Sequence, residues 1–267
     1  MTEPTIRDTW QEGVAYDRYI GRWSLLLAPL FLSWLALPPG RRWLDVGCGT
    51  GALCEAILRQ GSPAMLTGVD PSEGFLSMAR QHLPASVRLC VGSAASVPLQ
   101  DAEVDAVVSG LVLNFVPDLP GALAEMARVA VPGGTVAAYV WDYAEGMEML
   151  RHFWDAAADL DANAVQLHEG RRFPLCRPAA LQTAFEQAGF GDVVVAPLEI
   201  PTPFTSFDDY WQPFLGAQGP APAYVASLSE ERRRRLREAL RNSLPANSAG
   251  AIVLRARAWA VRGTRRA

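Results

Sequence analysis

Histidine and cysteine are scarce in this chain, with three and four copies among 267 residues, and their placement narrows the chemistry. Cys48, Cys54, Cys90 and Cys176 form no Cys-x-x-Cys pair and have no clustered histidines beside them. A structural zinc site or a disulfide framework is therefore not expected; the four are read as reduced thiols, three of them in segments that look buried, and no metal site is assigned. Positive charge is not in excess either: 24 Lys and Arg stand against 28 Asp and Glu, a net charge of −4. That balance gives no electrostatic reason to expect a nucleic-acid backbone as partner. Long apolar runs are missing. The longest, Leu25 to Leu37, is interrupted by Pro29 and Ser33 and falls short of the roughly 20 residues that span a bilayer. The first residues include Glu3, Asp8 and Glu12 where a secretory signal would be basic, so no membrane partner is expected and the expected address is the cytoplasm.

What is present suits a globular fold: half of the residues are hydrophobic and 19% are charged, and the length fits one large α/β domain carrying insertions. From Arg42 onward short β-rich runs alternate with helical segments, the pattern of a parallel sheet covered on both faces. Trp43 to Val46 reads as a strand, Ala52 to Gln60 as a helix, Met65 to Val69 as a strand and Ser72 to His82 as a helix. Val87 to Val91 and Val104 to Ser109 follow as strands. Helix Leu119 to Val131 is read as ending at Pro132-Gly133-Gly134, before strand Thr135 to Trp141.

After Trp141 the alternation stops. Residues 143–177 look helical, with Met147 to Leu160 as one helix; helix Pro178 to Gly189 and strand Asp192 to Leu198 resume the pattern. A second interruption over 200–247 carries Phe204, Phe207, Tyr210, Trp211 and Phe214 and a helix from Ser229 to Leu244, before a last strand, Ala251 to Val261. Both interruptions begin where a parallel strand would end, so both are expected as a lid on the carboxyl edge of the sheet, where ligands bind in such folds. Residues 1–40, with Trp10, Tyr16, Tyr19, Trp23 and Trp34, read as one or two amphipathic helices preceding the first strand.

Leu44-Asp45-Val46-Gly47-Cys48-Gly49-Thr50-Gly51 sets three glycines between a strand and a helix, a turn that lets backbone amides approach a ligand. Asp70 ends the second strand 19 residues after Gly51, placed to accept hydrogen bonds from both hydroxyls of a ribose. The spacing Gly47-x-Gly49-x-x-Ala52 also fits the dinucleotide fingerprint of nicotinamide enzymes. Asp45 argues against that reading, because a carboxylate there opposes a pyrophosphate but can attract or indirectly position an ammonium group.

The segment from Trp43 to Trp141 resembles the class I S-adenosylmethionine-dependent methyltransferases, in particular the small-molecule group that includes ubiquinone and menaquinone biosynthesis methyltransferases. The matching pieces are the glycine segment above, Gly68-Val69-Asp70-Pro71-Ser72, Val97-Pro98-Leu99 before Val104-Asp105-Ala106-Val107, and Arg128-Val129-Ala130-Val131-Pro132-Gly133-Gly134-Thr135. The resemblance implies a Rossmann-like, doubly wound, mostly parallel sheet of seven strands with an antiparallel last strand. It also implies S-adenosylmethionine as cofactor, S-adenosylhomocysteine as product and a small molecule as acceptor. Gly47 and Gly49 would line the methionine moiety, with Cys48 between them; Asp70 would bind the ribose and Phe75 would pack on the adenine. Ser93 stands where relatives usually carry an acidic residue for the adenine amino group, and Pro71, Ala94 and Leu111 complete the cofactor set. Tyr16 and Arg22 are candidates for the cofactor carboxylate.

Candidates for proton transfer are His152 in the first insertion and Asp142 and Tyr143 after the fifth strand. Arg232, Arg233, Arg234, Arg235, Arg237 and Arg241 form a basic run, but Leu228, Leu236, Leu240 and Leu244 recur at helical spacing, so a solvated helix face is the preferred reading. The aromatic content of the second insertion favours an apolar or aromatic acceptor. Two competing functions stay open: a nicotinamide-dependent oxidoreductase, and a non-catalytic protein that binds the cofactor.

Overall fold

In the computed structural model, which describes residues 21–216 and 219–267, helix α1 (Arg22–Leu35) precedes the first strand. Trp10, Tyr16 and Tyr19 lie outside the described residues. Helix α1 buries Leu27, Ala28, Phe31 and Leu35, a spacing that sets them on one face. Strand and helix then alternate: β1 (Arg42–Val46), α2 (Ala52–Gln60), β2 (Met65–Asp70), α3 (Glu73–His82), β3 (Arg88–Val91) and β4 (Val104–Gly110). Helix α4 (Leu119–Val129) and β5 (Ala130–Trp141) follow. Pairing is parallel between β3 and β2, β2 and β1, β1 and β4, and β4 and β5. Val104, Ala106, Val107 and Val108 of β4 are fully buried, as expected of a strand covered on both faces.

The remaining elements are α5 (Glu148–Leu160), α6 (Glu169–Arg172), α7 (Pro178–Gln187), β6 (Gly191–Phe204), α8 (Phe207–Trp211), α9 (Pro220–Ser227), α10 (Glu230–Ser243) and β7 (Ile252–Thr264). The sheet has seven strands in the order β3-β2-β1-β4-β5-β7-β6, and β7 runs antiparallel to β5, from Trp141 opposite Ala258 to Thr135 opposite Thr264. The mixed doubly wound sheet with its antiparallel last strand is thus present.

Two boundaries differ from the sequence reading for physical reasons. Pro132-Gly133-Gly134 does not separate helix from strand, because β5 already starts at Ala130, opposite Val104, and the register then jumps to Thr135 opposite Ala106. The extra residues bulge outward, with Gly133 at φ +77°, and are tied down by hydrogen bonds from Gly133 N–H to the Arg265 carbonyl and from Arg265 N–H to the Gly134 carbonyl, both 2.9 Å. Strand β6 continues past Leu198 to Phe204, burying Leu198, Ile200, Thr202 and Phe204 in alternation while Pro197, Pro201 and Pro203 face outward. Proline is tolerated in this way on an edge strand.

Contacts divide the chain into two compact units: one of residues 24–141, 175–198 and 258–267, the other of 1–23, 142–174 and 199–257. The first holds strands β1 to β5. The second gathers most of the two stretches read as insertions around an aromatic core. There Phe153 stacks on Phe214 at 4.5 Å, Trp154 meets Tyr224 at 5.6 Å, and the Tyr210 hydroxyl donates to the Met149 carbonyl at 2.9 Å. Helix α10 buries Leu236 and Leu240 and leaves Arg232, Arg234, Arg235 and Arg241 exposed.

Candidate functional site

β1 lies between β2 and β4, so the chain winds to one side of β1 and later returns on the other. The carboxyl end of β1 is therefore the switch point, where open α/β sheets form a crevice. The turns after β1 to β4 all belong to the unit containing residues 24–141.

Gly47, Gly49 and Gly51 hold φ values of +74°, +54° and +95°, in the left-handed region that favours glycine. A Cβ on Gly47 would stand 2.6 Å from a methyl of Val112, and one on Gly51 2.8 Å from Leu83 Cδ1. These two are glycines because the chain packs closely there. A Cβ on Gly49 would meet nothing within 4 Å among the described residues.

The turn's amides face inward. Gly47 and Cys48 N–H groups donate to the Val69 carbonyl at 2.7 and 3.1 Å, and Gly49 N–H donates to Asp70 Oδ2 at 2.9 Å. The sequence reading expects such amides to approach a ligand; these three bind the end of β2 instead, which satisfies groups that would be costly to leave unpaired. Asp70 Oδ1 accepts from Ser72 N–H at 2.9 Å, an Asx-type turn, and Ser72 Oγ caps α3 by accepting from Phe75 N–H at 3.3 Å. Burial raises the Asp70 pKa above the ordinary carboxylate range, against the opposing pull of these two amides.

Asp45 lies deeper. Its Oδ2 accepts a hydrogen bond from the Cys54 thiol at 3.3 Å, while buried Oδ1 has no partner among the described residues. Desolvation pushes its pKa up to about 7, and the nearby Asp70 charge adds to the rise.

The neighbouring strand ends complete the arrangement. Gly92 N–H donates to the Asp70 carbonyl at 3.2 Å, and Ser93 and Ser96 exchange backbone hydrogen bonds, so exposed Ser93 and half-buried Ala94 follow directly on Asp70's neighbour strand. Pro71 is exposed and Phe75 half-buried at the start of α3. After β4, buried Leu111 holds φ +63°, a strained backbone for a branched side chain, and its N–H donates to the Tyr139 carbonyl at 2.8 Å. Asp45, Gly47, Cys48, Gly49, Asp70, Pro71, Phe75, Ser93, Ala94 and Leu111 are thus gathered on or beside adjoining strand ends. Ser72, Val112 and Cys54, which shape this region, were missed by the sequence reading; only Ser72, two residues after an aspartate, carried a local signal.

The other candidates belong to the second unit. Tyr16 lies outside the described residues. Arg22 Nη1 pairs with Asp209 Oδ1 at 3.1 Å, and its guanidinium lies 4.3 Å from the Trp23 ring and 4.8 Å from that of Phe204. Its Nε and Nη2 are buried and have no hydrogen-bond partner among the described residues; such an edge can hold a carboxylate through two parallel hydrogen bonds. Asp142, a candidate for proton transfer, has both oxygens occupied: Oδ2 pairs with Arg257 at 2.6 Å and Oδ1 accepts from Glu145 N–H at 3.1 Å. Both oxygens are engaged in holding a turn. Tyr143 is buried with its ring 5.5 Å from that of Phe173. Half-buried His152 has its pKa lowered, chiefly by desolvation, which favours the neutral imidazole. His168 accepts from Gly170 N–H at 2.9 Å, capping α6.

Comparison with known proteins places this geometry in a family context. Residues 44–138 match the family described as methyltransferase domain. Malonyl-(acyl-carrier protein) O-methyltransferase of Serratia marcescens is 42% identical over 98 residues, covering 37% of this chain and 37% of the relative. Demethylmenaquinone methyltransferase of Bacillus cereus is 42% identical over 106 residues, covering 37% of this chain and 44% of the relative. The chain thus spans less than half the length of these curated relatives. Among solved structures, phosphoethanolamine N-methyltransferase 2 of Haemonchus contortus, in complex with S-adenosyl-L-methionine, aligns with a TM-score of 0.57 at 16% identity, covering 95% of this chain and 56% of that one. It shares the fold.

Proposed function

We propose that the protein, whose residues 44–138 match the methyltransferase-domain family, is an S-adenosylmethionine-dependent methyltransferase acting on a small, apolar or aromatic acceptor. The observation that carries this reading is the pair of acidic side chains at the glycine turn. Three amides of that turn are already committed to β2, and Asp45 and Asp70 lie close enough for the charge of one to raise the pKa of the other. Such a turn repels a pyrophosphate and suits a donor that is cationic at both its sulfonium and its ammonium.

The residues present fit that group. Among the described residues, none would crowd a Cβ on Gly49. Each Asp70 oxygen uses one acceptor site on a backbone amide and keeps another for a ribose hydroxyl. Phe75 offers a face for the adenine, Ser93 a hydroxyl for its amino group, and Gly47, Cys48, Pro71, Ala94 and Leu111 the surrounding walls. Arg22 and Tyr16 are the residues proposed to meet the carboxylate.

When bound, S-adenosylmethionine supplies an activated methyl group. The protein's own share is then to orient donor and acceptor in line and to exclude water. His152 is the proton acceptor proposed for acceptors whose nucleophile must lose a proton, since its imidazole is held neutral. The segments over 143–177 and 200–247 are proposed to select the acceptor, and the similarity to a demethylmenaquinone methyltransferase supports a quinone-like ring.

Calorimetry with S-adenosylhomocysteine and with NAD tests the cofactor. Binding of S-adenosylhomocysteine and not NAD supports the reading, and the reverse establishes the oxidoreductase. Methyl transfer to none of a panel of quinols, phenols and amines, despite cofactor binding, establishes the non-catalytic alternative.

A further inference from the structure

At the glycine turn two thiols and a carboxylate stand together, and the thiol chemistry is not used by cofactor binding. Cys48 sits between the left-handed glycines 47 and 49, and Cys54 is the third residue of α2. Both thiols are free and buried, and both lie against one pair of strand neighbours, Asp45 of β1 and the Gly68 that stands opposite it on β2. The Cys48 sulfur packs over Gly68 so closely that a Cβ on that glycine would stand 2.9 Å away. The Cys54 thiol, in turn, donates to Asp45 Oδ2 at 3.3 Å. Two sulfurs and a proton acceptor thus cluster at the root of the turn.

We propose that Cys48 and Cys54 are an oxidative modification site, closing to a disulfide under a peroxide and thereby disabling the glycine turn. Cys48 reacts first, being 6% exposed where Cys54 is fully enclosed. Its sulfur attacks the peroxide, the O–O bond breaks, and the products are a sulfenic acid and one water. The Cys54 sulfur then attacks the Cys48 sulfur; the S–S bond forms, the S–O bond breaks, and hydroxide departs with the Cys54 proton as a second water. Asp45 Oδ2, already hydrogen-bonded to that thiol, takes the proton and passes it to the leaving hydroxide. Overall two thiols give up two protons and two electrons, and the peroxide is reduced to two waters.

The bond has a mechanical consequence. Disulfide geometry brings two sulfurs to about 2.05 Å, so Cys48 must leave its seat on Gly68 and draw the turn toward α2. That movement strains the amide contacts from Cys48 to Val69 and from Gly49 to Asp70. The loss of cofactor binding rests on the function proposed above; the bond itself does not.

The test uses the full chain treated with hydrogen peroxide, alkylated with iodoacetamide and digested with trypsin. Peptide 43–59, which holds both cysteines, should appear unalkylated and lighter by two hydrogens. Affinity for S-adenosylhomocysteine should fall at least tenfold and return with dithiothreitol. In Cys54→Ser the second step is blocked, so dimedone should trap a sulfenic acid at Cys48; in Cys90→Ala the closure should be unaltered. Peptide 43–59 recovered with both cysteines alkylated overturns the proposal, as does equal, dithiothreitol-reversible loss of affinity in Cys54→Ser. If the reduced chain binds no S-adenosylhomocysteine, the functional reading fails while the peptide mass still decides this one.

Discussion

The Asp70 carboxylate and the Gly49 amide are joined at 2.9 Å across the ends of two adjacent strands, so the ribose-binding group proposed here also holds the glycine turn in shape. Replacing Asp70 by asparagine keeps the size, removes the charge and sets an amide donor against one of two N–H donors. Hydrogen bonds to charged groups contribute roughly 1.5–3 kcal/mol each. Asp70→Asn is therefore expected to weaken S-adenosylhomocysteine binding by about 10- to 100-fold in calorimetry, and unchanged affinity would remove Asp70 from the site.

Alanine at two glycines separates binding from stability. Gly51→Ala imposes a left-handed alanine, costing roughly 1–2 kcal/mol, and also drives a Cβ to 2.8 Å from Leu83 Cδ1; such overpacking costs typically about 1–3 kcal/mol more. Gly49→Ala carries the first cost without the second, because its Cβ meets nothing within 4 Å among the described residues. Thermal unfolding should show the larger drop in Tm for Gly51→Ala, whereas calorimetry should show the larger loss of affinity per degree of Tm for Gly49→Ala.

Asp45 gives stability a pH dependence of definite sign. Its carboxyl titrates at about 7 in the fold and near 3.9 in an unfolded chain, so between those values the folded state binds more protons. Its contribution is complete below about pH 4 and declines as pH rises toward 7, by about 4 kcal/mol at 1.36 kcal/mol per pH unit. Asp70, also raised, acts in the same direction. Asp105 acts oppositely: hydrogen bonding from Arg42 holds it at about 2, and its contribution disappears as pH falls from about 4 toward 2. Urea unfolding between pH 4.5 and 7.5 should show Asp45→Asn with a flatter decline than the parent, and an equal slope would contradict the assignment.

Arg128 joins two of the motif segments. Its guanidinium donates to the carbonyls of Val97 and Leu99 at 3.1 and 2.9 Å and to Glu125 and Asp101 at 2.8 and 2.7 Å, which accounts for the strongly raised arginine pKa. Lysine cannot fork in this way. Arg128→Lys and Arg128→Ala are both expected to lower unfolding stability, by about 2 kcal/mol for alanine. Full rescue by lysine would show that charge alone suffices.

The legible parts of the molecule were those specified by neighbours in the chain. Helix Ala52–Gln60 and the strands through Trp141 follow from apolar runs punctuated by glycine, and the turn from Gly47 to Gly51 is visible from its spacing. The extension of β6 to Phe204 was hidden because prolines normally signal a strand's end, and only its edge position makes them harmless. Asp142 illustrates a different limit. Its partner Arg257 lies 115 residues away, so an acid standing just after a strand looked free for chemistry when folding had given it a counter-charge. The inward turn of the Gly47, Cys48 and Gly49 amides was likewise invisible, since it depends on where β2 ends in space.

Strand β6 closes one side of the sheet with Pro197, Pro201 and Pro203 facing outward. A row of missing N–H donors cannot template another strand. At the opposite side β3 offers only four residues, too short a ribbon to recruit a second chain firmly. A long mixed sheet of this kind would otherwise be prone to edge-to-edge growth into aggregates, and the three imino acids make that outer margin self-limiting.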